Sequence, residues 1–351
     1  MSKLLFKLSD IFMKEEETII SDNSIYLLGE ICMNRVAGIV YKNLKKIKKF
    51  GATSEFVNSL RVIYEDNIEK NKRFAENVTY IAKLFEEEKF QYALLKGAIL
   101  TTTLYESGCR TSNDIDILIN ESDISKCQNV LLNNGFIQGT YEEGHGIIPA
   151  TRREILMSRM NYGETIPFVK LVDSEPLEID LNFSVDFKPQ KDKDIVSMLI
   201  DETICISYNE VTLRTLNYED FLIHLCCHLY KEATTLYWVE EKRDLTLYKF
   251  CDINLFLHSY SSPEFFERLI KRIKEFGVEK ECYYTFYNSS IIYPNLNDIK
   301  GFNECLKIIE PNELDFMQQI INPENKRVYK YELNFLNWFD CADKHNYLRS
   351  I

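Results

Sequence analysis

Residues 92–119, YALLKGAILTTTLYESGCRTSNDIDILI, decide the fold. Leu94 and Leu95 end a short apolar run at Lys96-Gly97, and a segment of helical character follows as far as Gly108. Ile115, Ile117 and Ile119 then alternate with Asp114, Asp116 and Leu118. The reading is strand, turn, helix, strand. In an extended chain successive side chains point to opposite faces, so Asp114 and Asp116 share one face and the isoleucines pack the other. Neighbouring carboxylates repel unless a cation sits between them, and a charge held close to an apolar core normally has a partner. The spacing therefore points to a divalent-metal site.

Downstream, LEIDLNFSV at 177–185 shows the same alternation. Leu177, Ile179, Leu181 and Phe183 share one face, leaving Glu178, Asp180 and Asn182 on the other. The preceding apolar segment IPFVKLV, at 166–172, is joined to it by Asp173 to Pro176, a connection short enough to predict an antiparallel hairpin. Between these landmarks Ser122 or Asp123 caps a helix through Leu132 that stops near Asn134-Gly135. Phe136 to Tyr141 reads as a strand and EEGHG, at 142–146, as a loop. Residues 151–160 show no clear period, and 191–210 read as a charged connection with a small apolar element.

The flanks are helical in pattern. Ile25, Leu27, Leu28, Cys32, Val36, Ile39 and Val40 recur at helical spacing ahead of the basic KNLKKIKK, read as a solvated helix end. From Glu55 to Glu88, apolar residues from Phe56 to Phe85 predict one long helix or two consecutive ones. From Leu216 onward helical periodicity dominates, with segments at 221–229, 245–256, 264–275 and 301–309 before an aromatic-rich ending. The expected division is a helical region at 1–90, a catalytic core at 91–210 and a mainly helical domain at 211–351. The fold class is α+β, with a mixed sheet flanked by helical regions.

At 351 residues, 45% hydrophobic and 27% charged, the composition is that of an ordinary globular protein. A net charge of -12 argues against a broad nucleic-acid surface. It leaves room for a local basic pocket, and for a nucleotide whose phosphates are offset by divalent metal. There is no run of 18 apolar residues, so no membrane span is expected. The opening MSKLLFKLSDIFMKEEE has no secretory apolar core. The ten cysteines include Cys226-Cys227 but no CxxC, which predicts buried reduced thiols in a cytoplasmic protein.

Three segments, LLKGAIL at 94–100, YESGCRTSNDIDILI at 105–119 and LEIDLNF at 177–183, resemble a nucleotidyltransferase of the DNA polymerase beta-like superfamily. More narrowly, the chain is similar to the bacterial group described as uncharacterised nucleotidyltransferases. The resemblance implies a polymerase beta-like core in which Gly97 and neighbouring Ala98 help bind the NTP. It makes Asp114, Asp116 and Asp180 the catalytic residues and the ligands of Mg2+, with Mn2+ as the alternative ion. ATP is the foremost co-substrate, and a nucleoside monophosphate passes to an acceptor with release of pyrophosphate. Where the superfamily commonly has Gly-Gly or Gly-Ser this chain has Gly97-Ala98, without the serine hydroxyl. Lys96, in the turn, and Arg110, just before the acidic strand, are the basic candidates for phosphate.

The acceptor read from this pattern is a small molecule, peptide or protein. Transfer to RNA or tRNA in the manner of a toxin is one alternative, and a noncatalytic nucleotide-binding or interaction protein is another. Several further residues carry weaker signals. Arg152 and Arg153 read as a solvent-facing patch, with an acceptor or nucleotide pocket as the alternative, and Lys170 can reach inward from the first hairpin strand. His224 and His228 fall on one helix face at a spacing zinc can use, but without HExxH they read as a packed pair. Asp252 reads as a local helix contact and His145 as part of a Gly-bounded loop.

Overall fold

The alternating segments form strands in the computed structural model, which describes residues 2–20, 23–185 and 195–351. The chain divides into two units. One comprises Met1–Asn71, Tyr105–Thr111 and Leu222–Ile351, and the other Lys72–Leu104 and Ser112–Phe221. In chain order the strands are β1 (Glu16–Ile20), β2 (Ile47–Gly51), β3 (Tyr92–Leu94), β4 (Asp114–Ile119), β5 (Ile137–Glu142) and β6 (Gly146–Pro149). They continue with β7 (Phe168–Val172), β8 (Glu175–Asn182), β9 (Ile204–Tyr208), β10 (Val211–Thr215), β11 (Gln319–Asn322), β12 (Arg327–Lys330) and β13 (Arg349–Ser350).

The second unit is built on an eight-stranded mixed sheet, in the order β6-β5-β7-β8-β4-β3-β10-β9. β4 pairs in parallel with β8, and β3 with β10; the other neighbours are antiparallel. The predicted β7–β8 hairpin is present. Asp173 (φ 50°) and Ser174 (φ 70°) take the left-handed backbone that a two-residue hairpin loop matched to the strand twist requires. Ile115, Ile117, Ile119, Ile179 and Leu181 are fully buried, so the apolar face of the alternation is the core face. Helix Ile124–Asn133 stops where expected, with Gly135 at φ 83° just beyond it.

Several elements depart from the sequence reading. Residues 152–162 are a helix, opened by a reciprocal capping box between Thr151 and Glu154 and closed by Gly163 in the left-handed conformation. EEGHG spans the end of β5, a turn and the start of β6. The charged connection at 191–210 holds helix Ile195–Asp201 and strand β9, which turns through Asn209-Glu210 into β10. Residues 191–194 of that reading lie outside the described part. In line with one of the two readings for this stretch, Ser54–Glu86 is one continuous helix of 33 residues.

The first unit is mainly helical, with the parallel pair β1–β2 and the three-stranded sheet β11-β12-β13. Its segment 105–111 is tied down by the long helix. The Asn71 side chain accepts from the Gly108 N–H at 2.6 Å and donates to the Arg110 carbonyl at 2.7 Å. Gly38 packs backbone to backbone on the same segment, where a Cβ would collide with the Gly108 carbonyl. None of the ten cysteines forms a disulfide, and most are buried. Among the described residues no helix is long and apolar enough to cross a membrane.

Because the neighbour of Gly38 is backbone rather than a movable side chain, Gly38→Ala is expected to destabilise the first unit by about 1–3 kcal/mol. Urea unfolding followed by tryptophan fluorescence checks this; an unchanged midpoint rules the tight contact out.

Candidate active site

The register of β4 against β8 builds the site. Parallel pairing sets Asp114 beside Glu178, Ile115 beside Ile179, Asp116 beside Asp180 and Ile117 beside Leu181. The acidic side chains share a face because each strand alternates in phase with its neighbour. One carboxylate oxygen from each of Asp114, Asp116 and Asp180 lies within 4.8 Å of the others. Among the described residues, this is the one group of three or more His, Cys, Asp or Glu side chains close enough to share an ion.

Lys96 reaches the same place from the β3 turn. Leu95 is extended, and its N–H donates to the Asp116 carbonyl at 3.0 Å, which fixes the turn against β4. Lys96 itself has φ 40°, the left-handed region that a non-glycine residue enters at a cost. Its Nζ lies 2.6 Å from Asp116 Oδ1, with side-chain exposures of 18% and 7%. Burial pulls the Lys96 ammonium down, but Asp116, Asp114 and Asp180 outweigh it and hold the group above its ordinary value.

The carboxylates feel the opposite pressure. Burial pushes the Asp180 carboxyl well above the usual range, and Asp116, Asp114 and Glu164 push it further. Its Oδ1 is buried and has no hydrogen-bond partner among the described residues. An acceptor-only oxygen left bare among like charges is the environment a cation relieves, so the donor set fits a hard divalent ion. Glu178 is also raised, by burial and then by Asp114. The sequence reading overlooked Glu164, which reaches this region through a β-bridge to Asn182 and carries no recognisable motif.

The glycine turn differs in detail from expectation. The left-handed residue is Lys96, and Gly97 is not in that conformation. The Ala98 N–H donates to the Leu95 carbonyl at 3.1 Å. The following helix is one α-turn, Lys96–Ile99, that widens into a π-helix over Leu100–Leu104. There the hydroxyls of Thr102 and Thr103 donate to the carbonyls of Ala98 (2.6 Å) and Ile99 (2.7 Å), competing with the regular ladder.

Arg110 belongs to the first unit. Its Nε and Nη2 donate to the two carboxylate oxygens of Asp252 at 2.8 and 2.9 Å, and both side chains are buried. Burial lowers the Arg110 guanidinium, yet Asp252 more than compensates and holds it above its ordinary value. The fork of donors that sequence assigns to phosphate is thus turned toward a carboxylate, and Asp252 is its partner.

The remaining candidates are placed as follows. His228 Nε2 lies 3.3 Å from Glu232 Oε1, and Glu232 is paired with Lys249. His224 is buried on the same helix. Lys170 donates to the Tyr80 hydroxyl at 3.2 Å and lies over the rings of Tyr80 and Phe136. Arg152 and Arg153 are exposed, and His145 sits in the exposed β5–β6 turn.

A family model described as "Uncharacterised nucleotidyltransferase" matches residues 27–294. No curated protein matches the chain. Among solved structures, an antigenic nucleotidyltransferase-like protein from Paracoccidioides brasiliensis is similar at 15% identity and a TM-score of 0.38, over 67% of this chain and 92% of that one.

Two outcomes follow from the geometry. Asp252→Ala takes the carboxylate away from a buried guanidinium and is expected to cost about 3–5 kcal/mol, whereas the double variant Arg110→Met, Asp252→Leu recovers most of that loss. Chemical denaturation of both variants checks it, and equal losses would show that the cost does not come from the stranded charge. Asp180→Asn removes a charge that the fold repels, so the metal-free variant should melt higher at pH 7, by on the order of 2 °C. A lower melting temperature would show that the carboxylate is better satisfied than its bare oxygen implies.

Proposed function

The chain belongs to the uncharacterised nucleotidyltransferase family, and from that premise we propose that it transfers a nucleoside monophosphate from an NTP, foremost ATP, to an acceptor with release of pyrophosphate. The observation that carries this reading is the convergence of Asp114, Asp116 and Asp180, with a buried Asp180 oxygen that no hydrogen bond among the described residues satisfies. These three side chains would hold Mg2+ or Mn2+. When bound, such an ion supplies charge neutralisation at the triphosphate and orients it for in-line attack.

The chain's own groups supply the rest. Asp180, beside Asp116 on the neighbouring strand, would take up the acceptor's proton as that group attacks the α-phosphorus. Lys96 offers a flexible ammonium to the phosphates, and Gly97 and Ala98 form the adjoining wall. Arg110 has a lesser claim, since its donors already serve Asp252. The net charge of -12 favours a small molecule, peptide or protein acceptor over an extended RNA.

Asp116→Asn and Asp180→Asn are expected to lower transfer by about 10²–10⁴-fold while leaving the fold intact. The assay incubates α-labelled NTPs with cell extract, with Mg2+ and Mn2+ tested separately, and reads a discrete nucleotide adduct together with pyrophosphate. Unchanged transfer by Asp116→Asn would remove that residue from the reaction. Nucleotide binding with neither product would replace this reading with a noncatalytic nucleotide-binding protein.

A further inference from the structure

The Lys96–Asp116 ion pair sets Asp116 apart from Asp180. Asp116 Oδ1 is engaged at 2.6 Å by an ammonium that is itself largely buried, while Asp180 Oδ1 is bare. We propose that Lys96 is the triad's built-in counter-ion, exchanged between Asp116 and the nucleotide's phosphates, and that this exchange couples metal binding to nucleotide binding. The proposal rests on the triad being the metal site argued above.

The coupling follows from which charges are left without partners. A divalent ion arriving alone competes with the ammonium for Asp116, and taking that oxygen would strand a buried cation. A triphosphate arriving alone brings negative charge to a face that already carries Asp114, Asp116, Asp180 and Glu178, with the Lys96 ammonium engaged by Asp116. When both arrive, a phosphate oxygen accepts the Lys96 ammonium and Asp116 is released to the ion. Each ligand then raises the other's affinity by the same factor, as linkage requires.

The backbone is arranged for such an exchange. Lys96 is held at φ 40°, a conformation that costs on the order of the strain found at ligand clamps and switches. The bonds from the Leu95 N–H to the Asp116 carbonyl and from the Ala98 N–H to the Leu95 carbonyl fix the turn on both sides. Only the four-carbon side chain has to move, and a lysine swings its point charge where a planar guanidinium would not.

The test is Mn2+ binding to the full chain, followed by electron paramagnetic resonance of the free ion. It is made with and without an ATP analogue bridged by methylene between the α and β phosphates. In the wild type the Mn2+ dissociation constant should fall by about tenfold or more when the analogue is present. In Lys96→Met, Mn2+ alone should bind more tightly than in the wild type, and the ratio of the two constants should shrink to what direct contact between ion and phosphates supplies. Lys96→Gln gives the same reduction and serves if the methionine variant does not fold.

A wild-type ratio near one overturns the proposal without recourse to any variant. So does a ratio that survives Lys96→Met, because simple repulsion by a nearby ammonium would tighten Mn2+ binding equally with and without the analogue. If that ratio survives while Asp180→Asn abolishes Mn2+ binding, the exchange falls and the metal site stands. If Asp114→Asn and Asp180→Asn both leave Mn2+ binding unchanged, the metal site falls as well.

Discussion

Parallel pairing of β4 with β8 seats Asp116 directly beside Asp180 and Asp114 beside Glu178. Two carboxylates about 4 Å apart repel by roughly 4 kcal/mol at an effective dielectric of 20, so the pairing needs something stronger to hold it. The other face provides it. Ile115, Ile117, Ile179 and Leu181 are fully buried, and each contributes roughly 1.5–3 kcal/mol by leaving water. A slip of β8 by one residue would turn Ile179 and Leu181 outward and Asp180 inward. The apolar face therefore fixes the register, and the acidic face inherits its crowding from that choice.

This dependence explains why the acidic face was legible from sequence. Period-two alternation in DIDILI and LEIDLNF names the residues on each face, and a two-residue loop at Asp173-Ser174 names the hairpin partner. What alternation does not give is strand order, and nothing local says that β4 lies between β8 and β3. Elements whose energy comes from tertiary pairing were missed for the same reason. β1 is acidic and β2 is lysine-rich, so neither carries an apolar stripe, yet they pair in register. The helix at 152–162 had its signal in the T-R-R-E capping box, hidden by a weak apolar period.

Basic residues show where reading along the chain fails. Arg110 stands four residues before Asp114, yet it belongs to the other unit and forms its ion pair with Asp252, far along the chain. The cause is the segment 105–111, held by Asn71 and Gly38 rather than by the strand it precedes. Glu164 is the converse, remote in sequence from Asp180 but near enough to raise its carboxyl. Neither placement has a local pattern, because each is set by how distant segments pack.

Lys96 is the residue whose chemistry was half legible. Its place before Gly97 marked it as a neighbour of the turn, but the left-handed backbone that aims it at Asp116 falls on the lysine itself. A glycine there would relieve strain of about 1–3 kcal/mol and lose the ammonium. With Ala98 lacking a hydroxyl and its N–H bonded to Leu95, the turn has few other donors to offer an anion. The strain, the missing serine and the crowded carboxylates thus converge on one side chain. A fold that concentrates negative charge on one face of a sheet gains from a cation held there, and Lys96 brings one to Asp116.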